Sequence, residues 1–338
     1  MAALRRRRIG TTNVEVSELG LGCSGIAGLF SAVPDATARA TVTAALDAGI
    51  CYCDAAPFYG FGRAEHMLGD AVRDRRHDVV VSTKVGRLLA PYRGPERHRD
   101  GWFNPFPFEP VFDYSYDGIM RSYEDSRQRL GFGDVDILLV HDIGMMTHGD
   151  VNDRHWRALA SGGYRALQEL RSTGQVKAIG IGVNEWQVLK QALEIGDWDV
   201  FLLAGRYTLL EQTPLRTLLD DCLARGVSVI AAAPFNGGAL MGTGKWNYAD
   251  APAEIIQLVE RLRTFCEQHA VPIGAAALQF PLAHPAIGSV LPGPRSPAEV
   301  TSVVDWFNLD IPDTFWSDLA GSGLLTSGAP LPSGFASR

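Results

Sequence analysis

Ile50-Cys-Tyr-Cys-Asp54-Ala-Ala-Pro-Phe-Tyr59 is the stretch from which the fold is read. A short apolar run, 50–53, stops at a carboxylate and then turns through Ala-Ala-Pro to a tyrosine. Such a run reads as a buried strand, and the acid marks its end. The pattern repeats downstream: residues 79–83 lead into Lys84, and 135–140 lead into His141. Polar groups gathered at the C-terminal ends of successive buried parallel strands are how an α/β barrel arranges its functional face.

Outward from there, β-rich apolar runs alternate with amphipathic helical patterns almost end to end. Strands are expected at 15–21, 50–53, 79–83, 135–140, 178–183, 200–203, 227–231 and 287–291. Helical patterns fall at 36–48, 116–130, 156–172, 186–195, 215–225 and 273–282. Pro34-Asp35 and Thr213-Pro214 are helix-start signals, and Gly49, Gly174 and Gly226 sit where helices stop. This alternation predicts an α/β fold, a (β/α)8 or TIM barrel, as one domain over residues 1–338. Three segments exceed ordinary connections. Residues 86–113 carry Tyr92, Trp102, Phe103, Phe106, Phe108 and Phe112; 141–155 follow the fourth strand; an irregular Gly/Ser/Pro-rich tail is expected from Gly321. Long loops at this face build a substrate pocket, with simple capping of the barrel as the alternative reading.

The 338 residues carry a formal charge of −7, which speaks against a nucleic-acid partner. The basic run at 5–8 lacks a following apolar segment; it is read as a solvated arm and not as a targeting signal. No stretch approaches the roughly 20 apolar residues of a membrane span. Five scattered cysteines suit buried reduced thiols, with no metal site, and a cytosolic location is expected. Gly20-Leu-Gly-Cys-Ser-Gly25 matches the G-x-G-x-x-G dinucleotide fingerprint. It is rejected as a Rossmann turn because no helical pattern opens there before Asp35, and because it leaves Lys84 and His141 unexplained.

Asp54, Tyr59, Lys84 and His141 together make a proton-transfer set centred on a tyrosine. Singly each has a plain reading: a surface lysine, a packing aromatic, a core histidine. Their joint occurrence at consecutive strand ends favours chemistry. Tyr59 is expected to be drawn from a pKa near 10 toward working pH by the Lys84 ammonium, with Asp54 pairing Lys84 and His141 directing the substrate oxygen.

The segments Asp54-Ala-Ala-Pro-Phe-Tyr59-Gly, Ser82-Thr-Lys84-Val-Gly, Val135-Asp-Ile-Leu-Leu-Val-His141, Gly180-Ile-Gly-Val-Asn184 and Leu291-Pro-Gly-Pro-Arg295-Ser resemble, in order, those of the aldo-keto reductase superfamily. The resemblance covers the chain from about Ile9 to Trp306. It implies a barrel that binds a nicotinamide cofactor without a Rossmann fold, with Asp54, Tyr59, Lys84 and His141 as catalytic tetrad. It implies further that Asn184 holds the carboxamide, and that Ser24, Asp54, Pro234, Phe235, Asn236, Gly237, Gly238, Leu240, Gly293, Arg295 and Glu299 contact the cofactor. Substrate would meet Tyr59, His141, Trp102 and Phe103. Three positions depart from the family pattern: Val183 before Asn184, Ala204 for a glutamine, and Ala232 for the tyrosine that stacks on nicotinamide, a loss for which Tyr207 is the candidate replacement. Glu299 stands where NADP users carry an arginine, so NAD is expected, with Arg295 leaving NADP open.

A sharper likeness, through 111–126 and 232–238, is to the D-threo-aldose 1-dehydrogenases of L-fucose and L-galactose type and to pyridoxal 4-dehydrogenase. It implies oxidation of a cyclic hemiacetal (L-fucose, D-arabinose, L-galactose) to its lactone, with pyridoxal as alternative substrate. A general NADPH aldehyde or ketone reductase and a non-catalytic cofactor-sensing subunit are the remaining readings. Oligomeric state is left open.

Overall fold

The computed structural model describes residues 4–333. Among them, eight parallel strands form one sheet: β1 (Leu21–Gly22), β2 (Tyr52–Asp54), β3 (Val80–Val85), β4 (Ile137–His141), β5 (Ala178–Val183), β6 (Val200–Ala204), β7 (Ser228–Ala232) and β8 (Ile287–Leu291). Each pairs with its successor in the chain. The last returns to the first: Leu19 bridges Val290 in parallel, Gly20 N–H donates to Val290 O at 2.9 Å, and Gly22 N–H donates to Pro292 O at 2.8 Å. The sheet is therefore a closed barrel, as the alternation predicts.

Side chains alternate along each strand. Tyr52, Ile137, Leu139, Val200, Leu202, Ile230 and Leu291 fill the interior. Leu138, Val140, Ile179, Ile181, Phe201 and Leu203 face outward into a second, larger core under the helices. The principal helices are α1 (Asp35–Asp47), α2 (Arg63–Val72), α3 (Tyr116–Leu130), α4 (Tyr164–Ser172), α5 (Trp186–Ala192), α6 (Asp220–Ala224), α7 (Ala253–Gln268), α8 (Ile273–Gln279), α9 (Pro297–Phe307) and α10 (Asp313–Gly321). Gly49, Gly174 and Gly226 all have positive φ, as helix-stopping residues do.

The amino-terminal segment differs from expectation. The run 15–21 is not one strand: Glu15–Ser17 pairs antiparallel with Arg6–Arg8, and the chain then bends into β1. Ser17 Oγ makes the bend by donating to Leu19 O at 2.6 Å. The hairpin sends Ile9, Val14 and Val16 into the barrel floor. The arginines are accordingly no free arm. Arg7 donates to Glu18 Oε1 at 2.6 Å, to Ile287 O at 2.8 Å and to Leu282 O at 3.0 Å.

The glycines of the rejected fingerprint serve closure. A Cβ on Gly20 would lie 2.7 Å from Leu291 Cδ1, and one on Gly25 would lie 2.4 Å from Gly293 O. They let β1 and the segment after it approach β8 closely; among the described residues no helix opens before Asp35. The helical pattern 156–172 is likewise divided, into Asn152–Ala158, a wide turn Leu159–Gly163, and α4.

Residues 86–113 form a ribbon rather than an irregular loop. Arg87–Pro91 pairs with Phe108–Phe112, and within that excursion His98–Arg99 pairs with Trp102–Phe103. The inner hairpin is tied to the loop after β1, since Phe30 N–H donates to Gly101 O and Phe103 N–H to Gly28 O, both at 2.9 Å. Past α10, residues 322–333 hold no helix or strand; the rest of the expected tail, 334–338, lies outside the described residues. Among the described residues no helix is long and apolar enough to cross a membrane.

Candidate active site

Strand parity assembles the centre. Asp54 shares a face with interior Tyr52, Lys84 with Ser82, and His141 with Leu139 and Ile137, so all three point into the mouth of the barrel. Register staggers them by two residues per strand: Asp54 pairs with Ser82, two before Lys84, and Lys84 pairs with Leu139, two before His141, which pairs with Gly182. Lys84 Nζ donates to Asp54 Oδ2 at 2.6 Å and to Ala55 O at 3.0 Å. The other Asp54 oxygen accepts from Ser82 Oγ at 2.6 Å, and that hydroxyl meets Tyr52 OH at 2.9 Å. A Cβ on Gly182 would come within 3.2 Å of Lys84 Cε, so a bare position leaves room for the lysine stem.

Tyr59 arrives from the turn after β2. Lys84 Nζ stands 4.7 Å from its ring centroid, and the His141 ring meets it edge-on at 5.8 Å. The phenol is not lowered as expected. Desolvation pushes it well above its ordinary range, Asp54, Tyr248 and Asp142 add to that, and Arg87 pulls the other way. Burial outweighs the Lys84 ammonium, which is paired with Asp54 and lies over the ring. Burial, then Arg87 and Lys84, hold His141 well below the usual imidazole range, so it is neutral. The side walls are aromatic: Phe58 lies 5.6 Å from Trp102, and Trp102 lies 5.7 Å from Tyr59. Phe103, beside Trp102, turns the other way and packs on His98 at 4.4 Å, because neighbours on a strand face opposite sides.

Three residues at this mouth were not picked out from the sequence. Arg87, the third residue past Lys84, donates to Asp142 through Nη2, and its guanidinium lies 4.1 Å over the Phe58 ring. Asp142 follows His141. A charge set directly after each apolar strand was the available signal. Tyr248 caps the turn of a small hairpin, Lys245–Trp246 with Ala249–Asp250, and its hydroxyl reaches Asn184 Oδ1 at 3.4 Å. An indole bond anchors that hairpin, Trp246 Nε1 donating to Glu211 Oε1 at 2.8 Å.

The expected cofactor residues gather at the same end. Asn184 Nδ2 donates to Ala204 O at 3.1 Å. Pro234 and Phe235 lead from β7 into Asn236–Met241, where Gly237 and Gly238 are left-handed and Leu240 is buried. Asn236 donates to Gly205 O at 3.0 Å and to Glu211 Oε1 at 2.9 Å, and its own Oδ1 is buried without a partner. From the neighbouring strand, Gly293 lies beside Ser24, and Arg295 precedes α9, whose cap is Ser296. Open space beside Gly237, the orphaned Asn236 oxygen and the N-terminus of α9 fit a dinucleotide laid across the ends of β7 and β8. Glu299 has a local duty as well. It accepts from Arg295 N–H at 2.9 Å and from Arg295 Nη2 at 3.3 Å, while its own N–H donates to Ser296 Oγ. Ser296 thus caps α9, and Glu299 reaches back past the cap to the Arg295 N–H, one residue beyond the reach of a capping box. Tyr207 does not take the place of the missing aromatic: it is buried in the outer core against Phe280 at 5.6 Å and His284 at 5.8 Å.

The model of the Aldo/keto reductase family matches residues 18–322. The chain belongs to the aldo/keto reductase family. Members of this family are nicotinamide-dependent oxidoreductases acting on small alcohols and aldehydes. A pyridoxal 4-dehydrogenase from Microbacterium luteolum is 47% identical over 340 residues, covering 96% of this chain and 99% of that protein. A D-threo-aldose 1-dehydrogenase from a Pseudomonas species is 36% identical, covering 92% and 95%. Among solved structures, the holo form of an aldo-keto reductase from Bacillus halodurans superposes with a TM-score of 0.73 at 23% identity, covering 98% of this chain and 99% of that one. At that identity the likeness concerns the aldo/keto reductase barrel alone.

Proposed function

We propose that this aldo/keto reductase is a lactol dehydrogenase that uses NAD and oxidises a cyclic hemiacetal to its lactone. The observation that carries the reading is the cluster in which Tyr59 lies between the paired Lys84 and the neutral His141, behind aromatic walls. When bound, the nicotinamide would accept the hydride, and its positive ring would favour the Tyr59 phenolate. Tyr59 then takes the proton of the lactol hydroxyl, and His141 holds that oxygen in place. Lys84, fixed by Asp54, keeps a cation beneath the phenol. Asn184 would hold the carboxamide, and the segments 234–240 and 293–299 the diphosphate and adenosine.

Both 47% and 36% relatives bear names of enzymes whose substrates form hemiacetals, pyridoxal and D-threo-aldoses. The closer of these two, with the Phe58 and Trp102 walls, moves pyridoxal ahead of the aldoses that the sequence reading placed first. NAD is favoured over NADP because Glu299 already occupies Arg295, and a 2′-phosphate would have to displace that pair. The reductase direction is a second reading, supported by the raised Tyr59 phenol, which is poised as a proton donor.

The test is initial NADH or NADPH formation from pyridoxal, L-fucose, D-arabinose and L-galactose with each cofactor. Turnover of pyridoxal or a sugar, faster with NAD, is expected. Silence with all four, together with NADPH-driven reduction of simple aldehydes, would replace the lactol reading by the reductase one.

A further inference from the structure

Asp142 follows His141, whose ring points into the barrel, so an extended continuation would send its side chain outward to the helices. Instead Asp142 is left-handed, with φ +46, and its carboxylate turns back over the mouth. Its N–H donates to Gly182 O at 2.9 Å, which ties the turn to β5. Oδ2 lies 3.5 Å from His141 Nε2 and accepts from Arg87 Nη2. Arg87 is itself held against Phe58 at 4.1 Å and Phe112 at 5.3 Å, and only 4% of its side chain is exposed. A pair this deep is weak evidence for stabilisation, since desolvation offsets its attraction. Its geometry is suited to presenting a fixed charge. Oδ1 receives no hydrogen bond among the described residues, and 23% of the Asp142 side chain remains open.

We propose that Asp142 is a specificity-determining residue: Arg87 clamps one carboxylate oxygen, and the other accepts a hydrogen bond from a substrate hydroxyl flanking the reacting carbon. The inference rests on the Proposed function only in taking His141 Nε2 as the group that meets the reacting oxygen. Aldoses carry such a hydroxyl on the adjacent carbon, and pyridoxal carries one on the adjacent ring position. A substrate that lacks it leaves a desolvated carboxylate unpaired, and sites built to bind a hydroxyl reject such analogues strongly.

The experiment compares lactaldehyde, 2-methoxypropanal and propanal in the reductive direction, with NADH or NADPH, in the wild type and in Asp142→Asn. Hydroxyl and methoxyl withdraw electrons similarly, but methoxyl cannot donate a hydrogen bond. Asparagine tolerates the left-handed turn, and with its amide oxygen facing Arg87 it offers the substrate a donor in place of the acceptor. Asp142→Gly provides a second variant compatible with that backbone, and melting temperatures check that both fold. In the wild type, kcat/KM for lactaldehyde should exceed that for 2-methoxypropanal by at least tenfold, on the order expected for a lost charge-assisted bond. In both variants the ratio should fall to within about threefold. A wild-type ratio below about threefold, an undiminished ratio in folded variants, or reduction of propanal without lactaldehyde would each overturn the assignment. Failure of all lactol oxidations beside intact hydroxyl selectivity would remove the lactol reading and leave Asp142 in its role.

Discussion

Lys84 is tied to Asp54 and Ala55 and lies over the face of Tyr59, so one buried ammonium links the strand ends to the phenol. Tyr59→Phe should lower turnover by about 10³-fold, within the range seen when a positioned acid or base is removed. Cofactor binding, followed by fluorescence titration, should change little; retained turnover would show that the proton moves elsewhere. At this scale the sequence was legible where parity applies, because Asp54, Lys84 and His141 share the inward face with recognisable core positions. It was illegible where contact depends on backbone turns. Asp142 reaches the mouth only through a positive φ, which no spacing rule reveals. Tyr207 fell into the outer core because nothing in its local pattern shows which layer the chain follows after β6.

Between β4 and α4, the loop carries a histidine pair. The His148 ring lies 4.2 Å from that of His155, and its Nε2 meets Tyr114 OH at 2.9 Å; Tyr114 in turn donates to His141 O at 2.7 Å. Burial first, then His155 and Arg87, bring His148 down to about 4 from 6.5. The unfolded chain therefore binds more protons between those values, and stability rises with pH through the window. It is full above about 6.5 and lost as pH falls toward about 4. His141, also depressed, acts in the same direction. Melting temperatures measured from about one unit above to about two units below the ordinary imidazole value of about 6.5 should fall with acid, and less steeply in His148→Gln; equal slopes would mean that His148 does not titrate there. Elements bounded by glycine stops were readable, whereas the ribbon at 87–112 was not. Its pairing joins residues on either side of an inner hairpin, and its aromatics mask the alternation on which strand reading depends.

For the molecule as a whole, closure is the organising fact. Arg7 bonds Glu18 and two carbonyls at the β8 end, so a residue near the start of the chain holds its end. Arg7→Ala should lower stability by about 2 kcal/mol, the worth of hydrogen bonds to a charged group, with Arg5, 3.5 Å from Glu18, limiting the loss. A lower denaturant midpoint at unchanged slope would bear this out; an unchanged midpoint would place no weight on the clamp. The barrel was legible because eight alternating units permit few other architectures. The plug beneath it was not, since an arginine run reads as solvated until its partners are seen.

That seam also orders events in time. Ser289 Oγ donates to Ser17 O across 272 residues of chain, and a protein made from its amino terminus must carry β1 without its eighth neighbour until β8 has been synthesised. During that interval two sheet edges stand open, each able to recruit a stray strand. The segment that closes them, 287–299, also brings Gly293 and Arg295 to the proposed dinucleotide site. If the proposed site holds the dinucleotide, cofactor would bind only after the barrel has closed, and would then fasten the seam between its first strand and its last.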